Sequence, residues 1–253
     1  MKNTKIIALA LSLFTVLSML ASCGFINNGG TRDADSYTAN VQIKFATNDD
    51  KMKSAIDSMN AFGVVLYDKG NINVSTTSAS GDNQVENEYT YIGGILYHDY
   101  SVKVGDYSVS ESKKALMDDL AREELVAKIG AGAGIGAEDF QNKTEEKLGK
   151  VTVYTCTDIT DEAKATLDSV MSKRFASIGA TVYLESADYI EEQIGGLVDN
   201  SVLTCSYVIS LNGKSYEVTM RLYTTYDYDT PVEIVRPDNS ESYQVVSGDE
   251  IIG

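Results

Sequence analysis

Few residues in this chain have types and spacings that could do chemistry. His98 is the only histidine among 253 residues, so no multi-histidine metal site can form. A serine–histidine–acid triad would have to use it, yet it follows Tyr97 in a strand-like run with no sharp nucleophile turn. Cys156 and Cys205 have no CxxC spacing, and read either as a disulfide pair or as two buried thiols. Gly130 to Gly136 (GAGAGIG) has the glycine density of a phosphate loop. It follows a helical stripe rather than a strand, lacks Gly-Lys-Ser/Thr, and runs into Glu138 and Asp139, which repel phosphate. It reads as an interhelical connection that could border a groove. Tyr223, Tyr226, Asp227, Tyr228 and Asp229 bring carboxylates together without EF-hand spacing, and read as an aromatic strand entering a solvated turn. The 16 tyrosines suit ordinary sheet packing, a cavity lining or a carbohydrate-facing surface. No acid–base pair, metal cluster or phosphate loop emerges. The expectation is a protein that is not an enzyme and needs no cofactor or metal.

A third cysteine, Cys23, stands in a different context. Lys2 and Lys5 precede an apolar run from Ile6 to Met19, and Leu20-Ala21-Ser22 then leads to Cys23-Gly24. The order is that of an export signal. With the cysteine in this position, it resembles the lipobox of bacterial lipoproteins. That resemblance implies cleavage after Ser22 and a lipid on the Cys23 thiol, with diacylglycerol and palmitate-type acyl chains as the membrane anchor. It implies a signal peptide at 1–22 and an extracytoplasmic protein tied to the cell membrane. Residues 23–36 then form the lipidated cysteine and a tether that is polar, Gly-rich and without periodicity.

Removing residues 1–22 takes the formal charge from −16 to −18, because Lys2 and Lys5 leave with the signal. So acidic a chain repels phosphates and is no nucleic-acid ligand. It is also held off an anionic membrane surface. No second run of about 20 apolar residues follows the signal, as a membrane-spanning helix would need. The remaining length suits one domain, 37–253.

The elements that must position these side chains are legible in part. Tyr37, Ala39, Val41, Ile43 and Phe45 alternate with polar neighbours, as in a half-buried strand. Met52, Ala55, Ile56, Met59 and Phe62 recur at helical spacing behind Asn48-Asp49-Asp50. From Gly63 to Ser110, short alternating runs separated by glycine turns predict an antiparallel meander. A helical insert is expected over about 111–179. It comprises a stripe of Leu116, Met117, Leu120, Ala121, Leu125 and Ile129, a weaker helix over 137–148, a strand over 150–157, and a helix capped by Thr160 and ended by Gly179. Asn212-Gly213 predicts a two-residue hairpin whose paired positions place Leu203, Cys205, Tyr207, Ile209, Val218, Met220 and Leu222 on one face. Pro231 and Pro237 bracket an expected edge strand.

Three blocks, Val85–Ser110, Ser201–Asp229 and Val232–Val246, together resemble the half-barrel of LolA-like and related Gram-positive lipoproteins. That resemblance implies an α+β fold, a curved antiparallel sheet with helices packed on one face, and in some members a space that holds acyl chains. It carries no catalytic motif. The expected function is non-enzymatic binding of a lipid-like or other apolar ligand between sheet and helices. Leu116, Leu120, Leu203, Tyr207, Ile209, Val218 and Met220 would line that cavity. The alternative is a cell-surface module with a filled core that contacts another protein or the cell wall through an exposed apolar patch.

Overall fold

The computed structural model describes residues 34–57, 59–80, 82–117, 135–176 and 179–252. The export signal, Cys23, Leu120, Ile129 and most of the glycine-rich run lie outside the described residues.

Strand β1 (Ser36–Thr47) buries its odd-numbered residues, since successive side chains of a strand point to opposite faces. Helix α1 (Asp50–Asp57) starts where the Asp49 side chain accepts a hydrogen bond from the Met52 N–H at 3.1 Å, an N-cap. It is shorter than the apolar stripe suggests. Met59 follows it, and Phe62 belongs to the next strand. Strands β2 (Ala61–Asp68), β3 (Asn71–Ser80), β4 (Asn83–Ile92), β5 (Ile95–Val104) and β6 (Tyr107–Leu116) form the expected meander. Its turns use left-handed residues, as at Gly93 (φ 59) and Gly94 (φ 80), which match the twist of the flanking strands.

The second half runs β7 (Phe140–Leu148), β8 (Val151–Ile159), α2 (Asp161–Ala176), β9 (Thr181–Ile194), β10 (Leu197–Leu211) and β11 (Lys214–Asp227). Strand β12 (Gln244–Val245) and helix α3 (Gly248–Ile252) close the described chain. Strand β1 pairs with β11 as well as β2, which joins two meanders into one curved sheet. Its order is β12-β6-β5-β4-β3-β2-β1-β11-β10-β9-β8-β7. All pairs are antiparallel except β12 with β6.

The hairpin register is as expected. Tyr207 lies opposite Val218, Cys205 opposite Met220 and Leu203 opposite Leu222. Asn212 (φ 52) and Gly213 (φ 74) make the turn. One sheet face, here called inner, carries Val41, Ile43, Val65, Val74, Tyr91, Leu96, Leu203, Tyr207 and Ile209. These share one core with Ile56 of α1, Leu167, Met171 and Phe175 of α2, and Ile251 of α3.

Helix α2 has the expected ends. Thr160 Oγ1 accepts from the Ala163 N–H at 3.4 Å. At the far end, Gly179 (φ 70) lets the Ala180 N–H reach the Phe175 carbonyl at 3.2 Å, a left-handed cap. The helix also repairs a fault in the sheet. The β9–β10 register shifts between Ser206 and Tyr207, and such a bulge leaves ladder groups unpaired. Asp168 accepts the Leu184 N–H at 2.7 Å, and Lys164 donates to the Leu184 carbonyl.

Several expectations are corrected. Within the expected insert at 111–179, the strand over 150–157 and the helix after Thr160 are present, but β6 runs to Leu116 and residues 137–148 form one 3-10 turn and then β7 instead of a helix. Past Ser110, β6 and β7 bury few residues, so no apolar alternation marks these segments as strand. The segment between Pro231 and Pro237 forms no strand. Cys156 and Cys205 are fully buried thiols on the inner face and form no disulfide with each other. Strand β9 separates them, since Tyr189 pairs with both Cys156 and Leu203.

Candidate functional site

The inner-face residues expected to line an apolar cavity are brought together, but they are already covered. Leu203 is 3% exposed, Tyr207 1%, Ile209 0%, Val218 2% and Met220 2%. A side chain bordering a void that admits water keeps accessible surface, and these keep almost none. Leu116 does not join them. It ends β6 and is 83% exposed, because its partner Ile95 is the first residue of β5 and the sheet runs out there. Leu120 lies outside the described residues.

A cavity of about 430 Å³ lies on the opposite, outer face. Its floor is the sheet: Leu66 of β2, Asn73 of β3, Glu88 and Thr90 of β4, and Asp99 of β5. These converge because Leu66 lies opposite Asn73, Asn73 opposite Thr90, and Glu88 opposite Asp99. Its other wall is the strap from Glu233 to Asp238, with Tyr243 beside it.

The strap is pinned at both ends. At its start, the Asp227 carboxylate accepts from Thr230 Oγ1 at 2.6 Å and from the backbone N–H groups of Asp229 and Thr230 at 2.9 and 3.1 Å. These bonds, the Thr230 hydroxyl first, hold that carboxyl below its usual range. At its end, Lys114 Nζ donates to the Ser240 carbonyl at 2.7 Å. The Tyr243 ring meets Tyr97 edge-on at 5.7 Å, and its hydroxyl donates to Asp99. Burial, and then this carboxylate, push the Tyr243 pKa far up, so the hydroxyl stays a donor. Between the anchors, prolines at 231 and 237 restrict the backbone.

The floor is polar and internally bonded. Asn73 Nδ2 donates to Glu88 Oε1 at 2.7 Å and to Thr90 Oγ1 at 2.9 Å, and Ser112 donates to Asp99 at 2.5 Å. Glu88, Asp99, Glu233 and Asp238 face the cavity against Arg236 alone. The lining therefore offers mainly acceptors, which suits a ligand rich in N–H or O–H donors. Among the described residues, no group of three or more His, Cys, Asp or Glu is placed to hold a metal ion. Sequence reasoning missed this site, since only the crossing of the strap over β2–β5 assembles it. The two prolines were the one local sign.

The outer face also carries an apolar row. Ile190 lies opposite Val202, Val202 opposite Tyr223, and Tyr223 opposite Gln42, which lies opposite Phe62. Ile190, Tyr223 and Phe62 are 42%, 43% and 46% exposed.

No family model matches the chain, and no curated protein matches it. Among solved structures, the chain is similar to the ywiB protein of Bacillus subtilis at 8% identity, covering 80% of this chain and 98% of that one, with a TM-score of 0.20. It is similar to the siderocalin Ex-FABP at 10% identity, covering 78% and 73%, with a TM-score of 0.17. Likenesses this remote carry no argument about function.

Proposed function

We propose that this chain is a lipid-anchored, extracytoplasmic binding module without catalytic machinery, which holds a small donor-rich ligand between its outer sheet face and the strap. The lipobox-like Leu20–Cys23 segment supports the anchor. The single observation that carries the binding reading is the 430 Å³ cavity between two separately pinned surfaces, a size suited to small ligands. In this reading the half-barrel-like sheet is a scaffold, and its inner face serves the core. A lipid-like ligand between sheet and helices would have to displace side chains that are already packed.

Native mass spectrometry of the mature protein tests the reading. A small co-purifying molecule should be lost from a Glu88→Gln/Glu233→Gln double variant. Recovery of acyl lipid at full occupancy in that variant would return the ligand to the interior.

A second reading, contact with another macromolecule, is favoured by the exposed row of Ile190, Tyr223 and Phe62. It predicts no small molecule in the native protein, and association that weakens when Tyr223 is changed to Ser.

A further inference from the structure

The inner face is not covered evenly. Over β4 and β5, Val85 forms a small cluster of its own with Tyr100 and Val102, separate from the main core. Next to it stand two cross-strand rows. In the first, Gly63, Thr76, Asn87 and Tyr100 lie opposite one another in turn; in the second, Val74, Tyr89, His98 and Lys113 do so. Tyr89 and His98 stack face to face, with centroids 4.3 Å apart and planes 4° apart, and Tyr100 stands 6.4 Å from the imidazole. All three rings are only partly buried.

The hydrogen bonding here is incomplete. His98 Nε2 and Asn87 Oδ1 are 2.8 Å apart, which occupies the amide oxygen of Asn87. Its NH₂ group has no protein partner among the described residues, nor has the Tyr89 hydroxyl. Thr76 is 2% exposed, and its hydroxyl is buried without any partner. A buried polar group left unpaired costs about 1–3 kcal/mol, and this one lies opposite Asn87 in the same row.

Charge narrows the ligand class. Lys113 is paired with Glu111 at 2.8 Å, so no spare cation awaits a carboxylate or phosphate. An apolar ligand would leave the Asn87 NH₂ group and the Tyr89 hydroxyl unpaired. Hydroxyl groups both donate and accept, as these partners require, and the C–H face of a sugar ring packs on aromatic faces. The geometry points to a second site, on the inner face at Asn87, Tyr89, His98 and Tyr100, that binds a neutral saccharide. This does not depend on the cavity beneath the strap.

His98 is the only histidine, so its imidazole NMR signals report the site without ambiguity. The mature lipidated protein, in a detergent free of sugar headgroups, is titrated with maltose, cellobiose and N,N′-diacetylchitobiose. At least one should shift the His98 signals saturably. Asn87→Asp keeps the oxygen that faces His98 and removes the donors, so it should weaken binding about ten-fold, as the loss of one good hydrogen bond does. Tyr89→Phe keeps the ring and should weaken binding about three-fold. Gln42→Ala, on the outer face, should bind as the parent does. If none of the three sugars moves the His98 signals, or if Asn87→Asp binds as tightly as the parent, the site is not a saccharide site. Should circular dichroism show Asn87→Asp unfolded, Tyr89→Phe decides: unchanged affinity overturns the proposal.

Discussion

Burial holds the His98 imidazole down at about 4; Lys113 adds to the effect, and Asp99 and Glu111 oppose it. A folded-state value below the unfolded one, about 6.5, means that the unfolded chain binds more protons between the two. Stability from this group is therefore complete above pH ~6.5 and is lost as pH falls towards 4. The expected loss is at most about 3 kcal/mol, and His98→Gln should flatten that part of a urea-unfolding profile against pH. Tyr37 makes the opposite case. It is 1% exposed among Tyr67, Tyr226 and Tyr228, and its hydroxyl has no partner. Removing an unsatisfied buried hydroxyl is neutral or favourable, so Tyr37→Phe should leave stability unchanged or raise it by about 1 kcal/mol. A clear destabilisation in chemical denaturation would show that the hydroxyl is bonded.

Elements depend on groups that lie outside them. The bulge in β9–β10 is tolerated because α2 supplies Asp168 to the Leu184 N–H. Asp168→Ala should cost about 1–3 kcal/mol by leaving that donor unpaired, while Asp168→Asn, which keeps an acceptor, should cost less. The alternation over 180–185 reads as a strand in the sequence, but the bulge hides its continuation to Ile194. Leu184 points inward at an even position, and Ala187, Tyr189 and Glu191 point inward at odd ones, so the period of two breaks midway. The strap is held by fewer bonds. Tyr243→Phe should speed hydrogen exchange across 231–239 with little change in global unfolding, since the strap contributes few residues to the core. Equal exchange in the variant and the parent would mean that the Tyr243–Asp99 bond does not hold the strap.

At the scale of the molecule, the two buried thiols report on how well the inner face is covered. Cys156 and Cys205 are fully buried, and burial raises the Cys156 pKa. Both should resist iodoacetamide in the native mature protein and react fully in denaturant. The membrane reading has its own check. Cys23→Ala should leave the membrane fraction or stay unprocessed, and a mature protein without acyl mass at Cys23 would end that reading.

Local chemistry determined a good part of this molecule. The alternation in β1, the Asn212-Gly213 register and the Thr160 and Gly179 ends of α2 each depend on residues within a few positions of one another, where sterics and hydrogen bonding act without the rest of the chain. Tertiary structure decided the rest. The pairing of β1 with β11 joins residues about 180 positions apart, and no local pattern names a strand's distant neighbour. Edge strand β7 has almost no buried face, so it carries no strand signal of its own; its ladder to β8 makes it a strand. The outer cavity exists only because a proline-bracketed strap returns across β2–β5, and the unpaired Asn87 NH₂ group came to lie beside Thr76 only through the pairing of β3 with β4.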